Sequence, residues 1–245
     1  MRIIVTTVIF FLVLNFISCS SGNKEKKQAV IKKPEITRDQ QIQNNIDSLK
    51  KTALDGDLIV RMNDNMISYR VQSLNETDKS FSHSGIIIIR NNIKMVCNIE
   101  PEEKGADTVR FEPIDSFINP KQNLACGLFR YDLSDSEKPA FLNQLENYHT
   151  NKIHFDMRYD LNTDDYIYCS EMIYKSLRQA THNRISIKLS QMPQRMIPLM
   201  KLFLKKYKLT EREIQERKFV TIDNLYLIKE CKEIMRFPLK YFPGQ

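Results

Sequence analysis

A chain of 245 residues, 42% hydrophobic and 27% charged, is long enough for one soluble domain with a real core and a tail. Six glycines and no tryptophan argue against a Gly-rich nucleotide loop or a collagen-like or linker-like chain. A formal charge of +7 and a pI near 9.1 invite a nucleic-acid reading, which the N-terminus redirects.

Arg2 precedes an apolar run over 3–14, too short for the ~20 residues of a spanning helix. Ile17-Ser18-Cys19 ends it with a small residue before a cysteine, as in a secretory signal. The segment also resembles a bacterial lipoprotein signal, in which Cys19 becomes the lipidated first residue. Phe16 departs from that pattern, which has an aliphatic residue there. The expected organisation is a signal peptide at 1–18, a lipid-anchored flexible tether at 19–36 and a single domain at 37–245. The tether is polar and Lys-rich. A basic exported protein meets anionic head groups and cell-wall polymers, so no nucleic-acid partner is expected. The membrane is a partner through the lipid on Cys19, and the domain is periplasmic. The plain reading of the lysine excess is a solvated surface.

Thr37 with Gln40 makes a capping box, and Ile42, Ile46 and Leu49 repeat at helical spacing, which predicts a helix over 38–53 stopped by Asp55-Gly56. Residues 57–62 read as a strand. Residues 63–80 are polar without a clear period. The apolar run 84–90 reads as a buried strand, Asn91-Asn92 as a turn and 93–100 as the returning strand. Strands are also expected over 107–112 and 124–131. Ser134 with Glu137 opens a helix over 135–149, and another runs from Cys169 to Ala180. Residues 193–206 read as a helix interrupted at Pro198. Thr210 with Glu213 opens a short helix, and 219–235 give a turn and a last strand. Strands with helices around them, mostly antiparallel, make an α+β domain.

With Cys19 acylated, Cys97, Cys126, Cys169 and Cys231 remain, an even number that permits disulfides in an exported chain. Cys97 and Cys126 lie in apolar strands and read as packing residues. The wide spacing and the absence of an HxxxH pair speak against zinc, and no metal or cofactor is expected. Cys169 falls near a helix N-terminus, where dipole and free N–H groups favour a thiolate and can hold an oxyanion; a buried packing cysteine fits the same pattern. A nucleophilic cysteine needs a base and an orienting group. His83, between small residues at a strand start, is the leading base and His154 its rival; His149 and His182 sit at helix ends. If Asn91-Asn92 is a two-residue hairpin turn, residue 90 faces 93 and His83 faces Glu100, with Cβ atoms roughly 4.5–5.5 Å apart. An ordinary cross-strand His–Glu pair fits that register too.

Gly56-Asp57-Leu58-Ile59, Ser82-His83-Ser84-Gly85-Ile86, Asn98-Ile99-Glu100, Tyr168-Cys169-Ser170-Glu171-Met172-Ile173-Tyr174 and Val220-Thr221-Ile222-Asp223-Asn224-Leu225-Tyr226 together resemble the permuted papain-like hydrolases of the NlpC/P60 superfamily, YiiX/YaeF-type. The resemblance covers about 55–230 with His before Cys, the permuted order. It implies a permuted papain-like fold: an antiparallel sheet or partial barrel against helices, with the catalytic cysteine at a helix N-terminus. It also implies Cys169 as nucleophile, His83 as base and Glu100 as third member. Pro101 stands where the family has a small residue. The implied activity is that of an amidase or peptidase on a small amide or peptide, with cell-wall peptides suggested by the compartment. A lipid hydrolase or acyltransferase acting on an acyl substrate, and a non-catalytic ligand-binding lipoprotein, are the alternatives.

Overall fold

The computed structural model describes residues 36–101 and 107–241. The signal segment, Cys19 and residues 20–35 of the tether lie outside the described residues. Helix α1 (Arg38–Thr52) starts at Thr37, whose hydroxyl accepts from the Gln40 N–H at 3.2 Å while Gln40 Oε1 accepts from the Thr37 N–H at 2.9 Å. Ile42, Ile46 and Leu49 bury its inner face. Gly56, at φ 88°, turns the chain into β1 (Leu58–Asn63).

Helix α2 (Met66–Leu74) rises where the sequence shows no period. Asn65 caps it by accepting from the Ser68 N–H at 2.9 Å. Its apolar residues Ile67, Val71 and Leu74 line a groove, and Val71 and Leu74, only partly buried, pack against the edge of the core.

Strands β2 (His83–Arg90) and β3 (Ile93–Asn98) are joined by Asn91 and Asn92 at φ 49° and 63°, the left-handed pair of a type I′ hairpin. Arg90 pairs with Ile93 and Ile86 with Cys97, the register expected from that turn. At Gly85 a Cβ would fall 2.4 Å from Val96 Cγ1 and 2.9 Å from the Cys97 carbonyl, so only glycine lets the strands approach there.

Strand β4 (Arg110–Pro113) starts later than expected, because Thr108 bridges to His154 instead. Then follow α3 (Ile114–Phe117), β5 (Asn123–Tyr131), α4 (Glu137–Thr150) and the short parallel pair β6 (His154–Phe155) and β7 (Tyr166–Ile167). Helix α5 (Cys169–Ala180) carries the candidate nucleophile at its first residue. After β8 (Ser190–Gln191), a 3-10 turn over Gln194–Met196 leads into α6 (Ile197–Phe203). Pro198 lies in the first turn of α6, where its missing N–H costs nothing, so it opens this helix rather than interrupting one. Helix α7 (Glu211–Glu216), β9 (Lys218–Phe219), α8 (Ile222–Tyr226) and β10 (Cys231–Pro238) complete the chain.

The main sheet runs β10-β5-β1-β2-β3-β4, antiparallel throughout and open rather than closed into a barrel. One face packs on α4 and α5 through Val60, Ile86, Phe129, Leu145, Met172 and Ile173. The other packs on α1 and α3 through Leu49, Ile59, Ile87 and Phe117. Cys97, Cys126, Cys169 and Cys231 are all free thiols, and burial pushes that of Cys231 up to about 12. Among the described residues no helix is long and apolar enough to cross a membrane.

Candidate active site

Burial of the apolar face of α5 fixes where its N-terminus ends up. Met172, Ile173 and Leu177 insert under the sheet, and the first turn is tied down on both sides. The Tyr168 N–H donates to Glu171 Oε2 at 3.2 Å, and the Tyr168 hydroxyl accepts from the Val220 N–H at 3.0 Å. Ser170 Oγ donates to the Val220 carbonyl at 2.7 Å. The next residues hold the loop that leads into β2. Asp223 Oδ2 accepts from the N–H groups of Thr77 and Asp78 at 2.7 and 3.2 Å. Asn75 Oδ1 accepts from the Ile222 N–H at 3.2 Å, while its Nδ2 donates to the Phe81 carbonyl at 2.8 Å. The segment 220–223 is thus the clamp between the N-terminus of α5 and the loop that leads into β2.

Cys169 and His83, both buried, line one cavity of about 90 Å³ together with Ser82, Glu100, Tyr159 and Tyr168. His83 Nε2 lies 3.4 Å from Asn98 Oδ1 and 3.6 Å from Glu100 Oε1. Asn98 Nδ2 donates to Glu112 Oε1 at 2.8 Å, which orients the amide so that its oxygen faces the ring. Glu100 accepts from Arg61 at 2.6 Å and from Arg110 at 2.9 Å. Arg61, itself buried, also donates to the Phe117 carbonyl at 2.7 Å and lies 4.2 Å over the Phe117 ring, beside His83. The Nε2 edge of His83 thus faces Asn98 and Glu100. Among the described residues no hydrogen bond joins His83 to Cys169 in this arrangement. Asn98, Arg61 and Arg110 were not anticipated. Asn98 could have been, since extending the hairpin register one pair beyond Ile86–Cys97 sets it opposite Gly85 and so diagonal to His83.

The remaining histidines lie elsewhere. His154 Nδ1 meets Asp107 at 2.9 Å on the surface, and His149 Nδ1 meets the Val109 carbonyl at 2.8 Å.

Burial sets the protonation states. It depresses the His83 imidazolium to about 4, against the pull of Glu100. Burial alone would raise the Glu100 carboxyl, but His83, Arg61 and Arg110 outweigh it and hold it at about 2. The Cys169 thiol is pushed up by burial, with the hydroxyl and N–H of Ser84 and the Ser170 N–H pulling the other way. Burial therefore works against the thiolate that the helix N-terminus favours. Burial thus favours the neutral form of both side chains, a thiol and an imidazole lining one cavity. Ser82 Oγ, which lines this cavity, and Ser84 Oγ and Arg61 Nε beside it in sequence or sheet are buried without a conventional hydrogen-bond partner, the Ser84 hydroxyl having only its weak interaction with the Cys169 thiol.

Alkylation of Cys169 by iodoacetamide is expected to accelerate steadily from about pH 6 to beyond about pH 9, with no acid plateau. Ser84→Ala should slow it several-fold at mildly alkaline pH, as followed by mass spectrometry. A rate already maximal at neutral pH in the wild type would show a resting thiolate and contradict this assignment.

Ile67, Val71, Leu74, Pro101, Tyr159 and Phe219 are shared between this cavity and a larger groove of about 420 Å³, whose far wall is Met157, Met192, Met196, Leu199 and Met200. Methionines give such a wall an adaptable apolar surface.

The sequence model of the permuted papain-like amidase enzymes, YaeF/YiiX, C92 family, matches residues 52–218. That span contains His83, Glu100 and Cys169. Among solved structures, the chain is similar to the metalloprotein yiiX from Escherichia coli O157:H7, at 18% identity and a TM-score of 0.60, covering 76% of this chain and 98% of that one. Among the described residues no group of three or more His, Cys, Asp and Glu side chains stands together to hold a metal ion. No curated protein matches the sequence.

Proposed function

The chain belongs to the permuted papain-like amidase family YaeF/YiiX (C92), a family of cysteine hydrolases, and we propose that Cys169, His83 and Glu100 carry its reaction on an amide substrate outside the cytoplasm. The observation behind this is the buried cavity that Cys169, at the first residue of α5, shares with His83 and Glu100. His83 Nδ1 would take the thiol proton as Cys169 Sγ attacks the carbonyl carbon. The free N–H groups of the first turn of α5 would face the developing oxyanion. The imidazolium would give its proton to the leaving amine, leaving a thioester that water hydrolyses by the same base. Glu100 would hold the ring and stabilise its charge while it is protonated.

For the substrate, export and anchoring at Cys19 favour peptides of the cell envelope. The apolar groove beside the cavity favours a second reading, hydrolysis or transfer of a long acyl group. Turnover of peptidoglycan stem peptides, N-acyl amino acids and phospholipids, each with Cys169→Ala as blank, decides between them; no Cys169-dependent turnover of any of the three would reject both. Lipid anchoring predicts that metabolically supplied palmitate labels the wild type and not Cys19→Ala. Equal labelling would remove the anchor.

A further inference from the structure

Residues 172–210 contain nine lysines and arginines and no aspartate or glutamate. Several of these cations are committed: Lys175 to Glu171 and Asp164, Arg184 to Glu137, Lys188 to Glu76 and Lys201 to Glu211. Arg195, Lys205, Lys206 and Lys208 are exposed and form no ion pair among the described residues. They cluster around α6, one wall of the apolar groove, and Lys206 stands at its edge. Between them Leu202 is 70% exposed. Ile67 of α2 also lines the groove, and α2 presents Met66 and Ile67 at 67% and 57% exposure.

Large apolar side chains held in water beside unpaired cations are the composition of an interfacial membrane element. A phosphate backbone would use the cations but gain nothing from Leu202 and Met66. We propose that the two walls of the groove, α2 and the α6 segment, dock this domain on an anionic lipid bilayer, with the groove mouth against the surface. The cations meet the head groups, and Leu202, Met66 and Ile67 enter the interface. This docking does not depend on a lipid at Cys19 or on the chemistry of Cys169.

The chain holds no tryptophan, so one introduced indole reports on its own position. In the full chain, Leu202→Trp emission should shift to the blue with phosphatidylglycerol vesicles and not with phosphatidylcholine vesicles. High salt should reverse the shift. Adding Lys205→Glu and Lys206→Glu to Leu202→Trp should weaken the response roughly tenfold or more in lipid concentration. Ile93→Trp, at the β2–β3 turn and 59% exposed in the native residue, should not shift. An N-terminal anchor would hold the chain on either vesicle but would not bring position 202 into the bilayer in preference to 93. No shift at 202, an equal shift at 93, or an equal shift on neutral lipid would each overturn the proposal. Hydrolase activity is not read in this assay, so its outcome is separate from that of the functional reading.

Discussion

Replacing Cys169 with alanine is expected to lower turnover by roughly 10⁴-fold or more while leaving the protein folded. Without the sulfur no acyl-enzyme forms, and His83 has no proton to take. What remains is a cavity that orients a substrate beside a base and a carboxylate. The substitution removes one sulfur from a small buried side chain whose thiol makes no conventional hydrogen bond, so a stability change of about 1 kcal/mol is expected. Steady-state kinetics and thermal melting should therefore separate cleanly: activity gone, melting transition kept. A Cys169→Ala protein that hydrolyses substrate at anything near the wild-type rate would remove the cysteine mechanism for this chain.

Glu100→Gln is expected to cost roughly 10²-fold in kcat, the scale of general acid–base assistance. Among the described residues, its carboxylate is the anion beside His83 that opposes burial and the guanidinium of Arg61. Glutamine keeps an acceptor for Arg61 and Arg110 but leaves two guanidinium groups unbalanced next to the ring. The imidazolium that must form during catalysis is then harder to form. The sign follows: Glu100 raises the His83 value, so its loss lowers that value further below about 4. The acid limb of kcat/KM should move to lower pH as the plateau falls. Asn98 still faces Nε2 in this variant, so the ring keeps its orientation and the loss isolates charge from geometry. A wild-type kcat would assign the orienting role to Asn98. Glu102→Gln and Glu103→Gln, at positions outside the described residues, are expected to change kcat little.

Local chemistry was legible in the sequence, and assembly was not. Thr37 and Gln40, and Thr210 and Glu213, announce their helices because a capping box is complete within four residues. Asn91-Asn92 sets the hairpin register because two consecutive positive φ values are a property of the turn alone. The apolar sequence after Cys169 marks a helix with a continuous buried face. By contrast, α2 hides because its apolar side chains are only partly buried, between a groove and the edge of the core. Arg61 pairs across β1–β2 with His83, and Arg110 arrives from β4, contacts that no spacing within a segment encodes. The upward push on the Cys169 thiol is hidden from the sequence for a related reason. The helix N-terminus is visible locally, but the desolvation that outweighs it comes from the whole fold.

The buried hydroxyls of Ser82 and Ser84, neither with a conventional hydrogen-bond partner, set durability against speed. A buried hydroxyl with no partner costs the native state about 1–3 kcal/mol, and alanine at either position removes that cost. A library of this chain screened only for survival of heat should therefore discard these serines early. The survivors would outlast their parent and, where Ser84 was lost, work more slowly. Cold or temperate conditions are where the original pair of serines would be kept.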